Sequence, residues 1–298
     1  MDGPLSIPLL ARLERLRVAT RHRHVGRFSA RRRSSRLGRG LEFAGHRPYT
    51  PGDDFKDVDW TLYGRLDRFY VRQAHEETEL DVTLVVDVSR SMWVDGGIKG
   101  QLAAEVSAAL GWMTLARLDQ LRVAPFAGQL LPPWTPPRSR VQALFVHQRL
   151  LGFGEGGGAQ KQLGASNLER AAQQLASSTM ARGLAVVISD FCLPWQRGID
   201  VLRSAGFEPS LIRITSPNES RPQPLGSEVM LEDAETGERL RVEHDLPITK
   251  RYRHHFGQFA ETVHRYARSR GIAHAALEAG GPIDEQMIDT LRVGGIVL

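Results

Sequence analysis

The sequence predicts an α/β protein: a doubly wound, mostly parallel sheet, with a β-rich N-terminal segment before it and one inserted β-hairpin. Three observations carry this. From residue 81 onward, short apolar runs alternate with helical patterns. One of those runs ends directly in Asp87, and a second is followed by Ser189-Asp190. The 298-residue chain is 41% hydrophobic and 24% charged, a globular composition that excludes collagen-like, coiled-coil and wholly disordered classes.

Taken in order, residues 1–37 read as a basic helical arm, with Leu9, Leu13, Leu16 and Val18 at roughly helical spacing over Pro8 to Val25. Residues 38–80 change to Gly, Pro and Asp punctuation among aromatic residues, the texture of short strands and turns. Asp53, Asp54, Asp57 and Asp59 lie there without the spacing of a calcium loop, so turn-forming and arginine-pairing roles are expected. Residues 81–298 carry the sheet. Its strands are expected at Val82 to Val86, Leu121 to Phe126, Leu184 to Ser189, Pro209 to Ile214 and Ile272 to Leu277. Helical patterns over 98–118, 138–150, 167–180, 196–205 and 248–270 separate them, which implies right-handed crossovers. The 216–247 stretch breaks the rhythm: Val229 to Glu232 and Leu240 to Glu243 flank a turn and read as a hairpin. The glycine-rich run Gly152 to Gly158 reads as a loop, because the phosphate-binding signature G-x-x-x-x-G-K-[ST] is absent from the sequence.

The net charge of +5 conceals an asymmetry. Residues 1–40 hold eleven arginines against Asp2 and Glu14, a net +9 that leaves −4 for the other 258 residues. Such an arm suits an anionic partner, and nucleic acid is one alternative reading. No apolar run approaches the ~18 residues of a membrane helix, and a single cysteine, Cys192, fits a reducing compartment, so a cytoplasmic protein without a transmembrane segment is expected.

Chemistry is most legible where strands end, because ligands of open α/β sheets bind at the carboxyl edge. After the first strand, Asp87, Ser89 and Ser91 stand at i, i+2 and i+4 and present hard oxygen donors to one side of an extended loop. That suits Mg²⁺ or Mn²⁺, which prefer oxygen ligands and retain several waters. Asp190 closes a second apolar strand. Ser166 opens Ser166-Asn167-Leu168-Glu169, which also fits a helix capping box.

The Asp87-x-Ser89-x-Ser91 motif, Ser166 and Asp190 resemble the metal-ion-dependent adhesion site of von Willebrand factor A domains, with Ser166 where Thr is usual. Gly40 to Phe43, Arg47-x-Tyr49-x-Pro51-Gly52-Asp53-Asp54, Asp57-x-Asp59-Trp60, the Asp87 motif and the Asp233 to Gly237 turn together resemble the bacterial domain of unknown function 58 family, over about residues 38–290. The resemblance implies a von Willebrand factor A-like fold, a metal held by Asp87, Ser89, Ser91, Ser166 and Asp190, and partnership with a MoxR-type AAA+ ATPase. It implies a non-enzymatic protein-binding module whose ion takes an acidic side chain of a client protein. The rival class is a Mg²⁺-dependent phosphotransferase or hydrolase. There Asp87 would be the nucleophile, but Ser89 stands where relatives of haloacid dehalogenases have a second aspartate.

Overall fold

The computed structural model describes residues 5–20, 42–75, 79–155, 164–222, 228–243, 246–281 and 283–298. They belong to two compact units, one of Arg23–Glu79 and a larger one of Met1–His22 with Leu80–Leu298.

The larger unit opens with α1 (Ile7–Leu13), shorter than the helix expected over Pro8 to Val25. Ser6 caps its first turn, and beyond Leu13 the chain extends so that Val18 bridges Val297. Arg17 donates its N–H to the Leu298 carbonyl at 3.0 Å and accepts from the Leu298 N–H at 2.8 Å. A β-branched residue beside a waiting ladder partner favours the extended form over another helical turn. Leu5, Leu9, Leu13, Leu16 and Val18 are all buried in the main core. The start of the expected basic arm is therefore an integral layer of the larger unit. The remainder of that arm, residues 21–37, lies outside the described residues.

In the smaller unit, β1 (Glu42–Pro48) and β2 (Tyr70–His75) pair antiparallel around α2 (Trp60–Leu66). The local carboxylates serve turns and caps. Asp53 forms a two-pronged pair with Arg47 at 2.6 and 2.7 Å. Asp54 caps the Lys56 N–H, and Asp59 caps α2 through the Thr61 and Leu62 N–H groups while meeting His46 at 2.9 Å.

The larger unit then builds β3 (Asp81–Asp87), α3 (Ile98–Ala116), β4 (Gln120–Phe126), α4 (Gln142–Glu155), α5 (Leu168–Ser177), β5 (Leu184–Ser189), α6 (Gln196–Ser204), β6 (Glu208–Thr215) and a short α7 (Pro217–Ser220). The hairpin β7 (Glu228–Glu232) and β8 (Arg239–Glu243) follows, then α8 (Leu246–Ser269), β9 (Ala273–Glu278) and α9 (Glu285–Val293). The described strands of the main sheet run in the order β4-β3-β5-β6-β9, every pair parallel. Side chains alternate between its faces as the pleat demands. Val82, Leu84 and Val86 join α1, α3, α4 and α9 on one face. Val85, Ala185 and Val187 join α5, α6 and α8 on the other. With both faces covered, the strands read as continuous apolar runs. Among the described residues no helix is long and apolar enough to cross a membrane.

Helix α3 is apolar on nearly every side and almost wholly buried, as a helix enclosed by sheet and neighbouring helices must be. Helix α4 runs on through Gly152 and Gly154, residues expected in a loop. The indole of Trp93 explains this. It lies against Gly100 of α3 and Gly154 of α4, occupying the space a side chain would fill, and its Nε1–H donates to the Val88 carbonyl at 3.3 Å. The loop after β3 is thus wedged between two helices. A Cβ on Gly100 would stand 2.7 Å from the indole. Gly100→Ala is therefore expected to cost about 1–3 kcal/mol through overpacking and to move the Trp93 ring; denaturant titration and the tryptophan emission of the variant check both.

Candidate adhesion site at the carboxyl edge of the sheet

The strand order reverses around β3. Its connection to β4 leads one way and the connection from β4 to β5 returns past it, so the crevice between the ends of β3 and β5 is the topological switch point. Asp87 ends β3 in that crevice and is 1% exposed. Its Oδ1 accepts the Ser89 N–H at 3.0 Å, and its Oδ2 accepts the Ser166 and Ser189 hydroxyls at 2.8 and 2.7 Å. The Ser89 and Ser91 hydroxyls stand 3.3 Å apart. Residues 79 and 102 positions away in sequence thus meet Asp87 at one carboxylate.

Ser166 reaches Asp87 because it is not the helix cap. Asn167 takes that role, accepting the Arg170 N–H at 2.9 Å, and the Asn167 N–H donates to the carbonyl of Ala127, the residue after β4. This leaves the Ser166 hydroxyl free to turn into the crevice, and the capping-box alternative falls.

Asp190 is oriented differently from Asp87. Its Oδ1 accepts the Cys192 N–H, and its Oδ2 meets the buried ammonium of Lys99 at 2.8 Å. Lys99 also meets Glu219 at 2.5 Å. Glu219 is held in a capping box with Ser216 at the start of α7. Burial pulls the Lys99 ammonium down, but the charges of Asp190 and Glu219 outweigh it and hold the group charged, above its ordinary range. Sequence reasoning missed both Lys99 and Ser189. Ser189 adjoins Asp190 and had a signal in its strand-end position; Lys99 is the one cation of a largely apolar helix, a placement that calls for a buried partner.

A further carboxylate arrives from the hairpin. Glu235, between β7 and β8, accepts the Ser91 N–H at 3.0 Å through Oε1, and its Oε2 is buried without a hydrogen-bond partner.

Among the described residues no cation pairs with Asp87, since the Lys99 ammonium is engaged by Asp190 and Glu219. Burial, and then the charge of Asp190, push Asp87 up to about 6, against the lowering effect of hydrogen bonds from Ser89 and Ser189. Among the described residues no three His, Cys, Asp or Glu side chains form a ready-made metal centre, so an ion here would depend on the serine hydroxyls. The donor set fits a hard divalent cation: hydroxyl and carboxylate oxygens around a buried, uncompensated charge.

A family model described as protein of unknown function DUF58 matches residues 45–265. The chain belongs to the DUF58 family. An uncharacterized protein from Mycobacterium tuberculosis, Rv1480, is 30% identical over 241 residues, which cover 79% of this chain and 72% of that protein. Among solved structures, the conserved hypothetical protein BatB from Bacteroides thetaiotaomicron aligns with a TM-score of 0.40 and 12% identity, over 72% of this chain and 99% of its own. A von Willebrand factor type A structure from Catenulispora acidiphila aligns with a TM-score of 0.35 and 13% identity, over 76% of this DUF58 chain and 43% of its own.

Two outcomes are expected at this site. Because the folded pKa of Asp87 lies above that of an unfolded aspartate, its ionisation costs stability, a cost absent below about pH 4 and complete above about pH 6. In EDTA, the thermal midpoint of the wild type should therefore fall relative to Asp87→Asn as pH is raised from 4 to 7.5, by calorimetry. Lys99→Met should cost about 3–5 kcal/mol by leaving Asp190 buried and unpaired, and the double variant Lys99→Met/Asp190→Leu should recover most of it in denaturant titration.

Proposed function

We propose that this DUF58 chain is a metal-dependent protein-binding module. Asp87, Ser89, Ser91 and Ser166 hold a Mg²⁺ or Mn²⁺ ion, with Asp190 as an outer carboxylate, and an acidic side chain of a client protein completes the contact. The observation that carries this reading is the convergence of the Ser166 and Ser189 hydroxyls and the Ser89 backbone on a buried carboxylate short of positive charge, at the switch point of the sheet. A bound cation would supply the missing charge and a coordination position for an incoming carboxylate.

The module works, on this reading, beside a MoxR-type AAA+ ATPase in assembling or activating client proteins. A non-enzymatic role is favoured over a phosphotransferase or hydrolase. Ser89 stands where relatives of haloacid dehalogenases have the second aspartate that serves as general acid, which leaves an Asp87 nucleophile without that partner. Among the described residues no histidine hydrogen-bonds Ser89, Ser91 or Cys192.

The test is co-purification with the cognate ATPase. Retention in Mg²⁺, with loss on adding EDTA and in Asp87→Ala, is expected; retention unchanged by both would refute the metal bridge.

A further inference from the structure

We propose that Glu235, at the tip of the β7–β8 hairpin, is an internal ligand of the Asp87 site: its carboxylate takes the place that a client's acidic side chain would take, and a client binds by displacing it. The inference rests on reading the site as a cation-dependent adhesion site.

Four observations lead to it. The first is position. Glu235 lies 144 residues from Ser91 in sequence, yet its Oε1 accepts the Ser91 N–H at 3.0 Å, on the same short loop that carries the Ser89 and Ser91 hydroxyls. The second is the other oxygen. Glu235 Oε2 is buried with no hydrogen-bond partner, and a carboxylate oxygen withdrawn from water in a crevice of oxygen donors calls for a cation.

The third is how the tip is built. Asp233 Oδ1 accepts the Glu235 and Thr236 N–H groups at 2.9 and 2.7 Å, and the Gly237 N–H closes the turn on the Asp233 carbonyl at 2.9 Å. Gly237 has φ +75°, the left-handed conformation that the turn requires. With the Asp233 side chain and the Glu235 backbone spent inside the turn, the Glu235 side chain is the group left to reach the crevice. Arg90 faces Asp233 and adds an attraction between the two loops.

The fourth is how loosely the hairpin body is held. Leu231 and Leu240 stand opposite one another on one face, and both are exposed, as is Met230 on the other. Among the described residues of the hairpin no apolar side chain is buried, so release of the tip would not open the core. Lys99 cannot retain it, since that ammonium is engaged by Asp190 and Glu219. A cation shared between Asp87 and Glu235 would fasten the tip, while without the ion the two carboxylates repel.

The experiment uses Mn²⁺ alone as the probe, by calorimetric titration of the wild type, Glu235→Gln and Asp87→Asn, with hydrogen exchange followed over 228–243. Mn²⁺ is expected to bind the wild type and slow exchange around residues 232–238. Glu235→Gln should bind about 10- to 100-fold more weakly, the range for losing a group that supports a metal site, and its hairpin exchange should not respond to the ion. With Mn²⁺ bound, ¹³C-acetate should show stronger paramagnetic relaxation in Glu235→Ala than in the wild type, because the carboxylate position has been vacated. Mn²⁺ binding that Asp87→Asn abolishes but Glu235→Gln leaves unchanged, with a hairpin indifferent to the ion, overturns the internal ligand and leaves the adhesion site standing. A wild type that binds no Mn²⁺ overturns both.

Discussion

The organising constraint of this molecule is a carboxylate that the sheet places where water cannot solvate it. Doubly wound topology makes a crevice where strand order reverses, and Asp87 ends the strand at that reversal. Neighbouring structure follows from the need to accommodate it. Ser189 comes from the adjacent strand, Ser166 from the segment before α5 and Ser89 from the following loop, each donating to one of its two oxygens. Hydroxyl and amide donors soften the charge without cancelling it. Asp190, one residue beyond Ser189, has its own ammonium in Lys99, so the two strand-end aspartates are treated differently by the same crevice.

That difference rests on helix α3. Its first turn carries Lys99 inward, while Gly100 beside it admits the Trp93 ring that holds the site loop. Two adjacent residues thus set the electrostatics and the shape of the crevice. One contributes a charge that an apolar helix can bury only because two carboxylates meet it; the other contributes the absence of a side chain. The loop bearing Ser89 and Ser91 is therefore positioned by packing behind it as well as by hydrogen bonds in front.

Much of this was legible in the sequence, for identifiable reasons. The apolar runs of β3 and β5 are buried on both faces, so they stand out in any hydropathy reading, and their terminal aspartates mark the carboxyl edge. The hairpin showed itself through its turn residues, within one residue at each strand. What remained hidden depends on long-range partners. Val18 looked helical by spacing, and its partner Val297 lies at the other end of the chain. Gly154 looked like a loop residue because nothing local announces the Trp93 ring that needs the space. The helix Glu285–Val293 is only nine residues long, too short for the spacing of Met287, Ile288 and Leu291 to repeat. At the site, the Asp87 motif was readable because its spacing is local, whereas Glu235 joins it only through the fold.

The pairing of Arg17 with Leu298 gives the larger unit a seam joining segments about 280 positions apart. Loop-closure entropy makes so distant a contact among the last that a folding chain can form. The α1 leucines pack against α3 before that contact forms, so the seam with Ile296 and Val297 completes a layer that is already partly covered. The layer that α1 forms thus has one cover from α3 and a second from the 296–298 segment, and detaching the second would unpair Arg17 and Val18 while leaving the first in place.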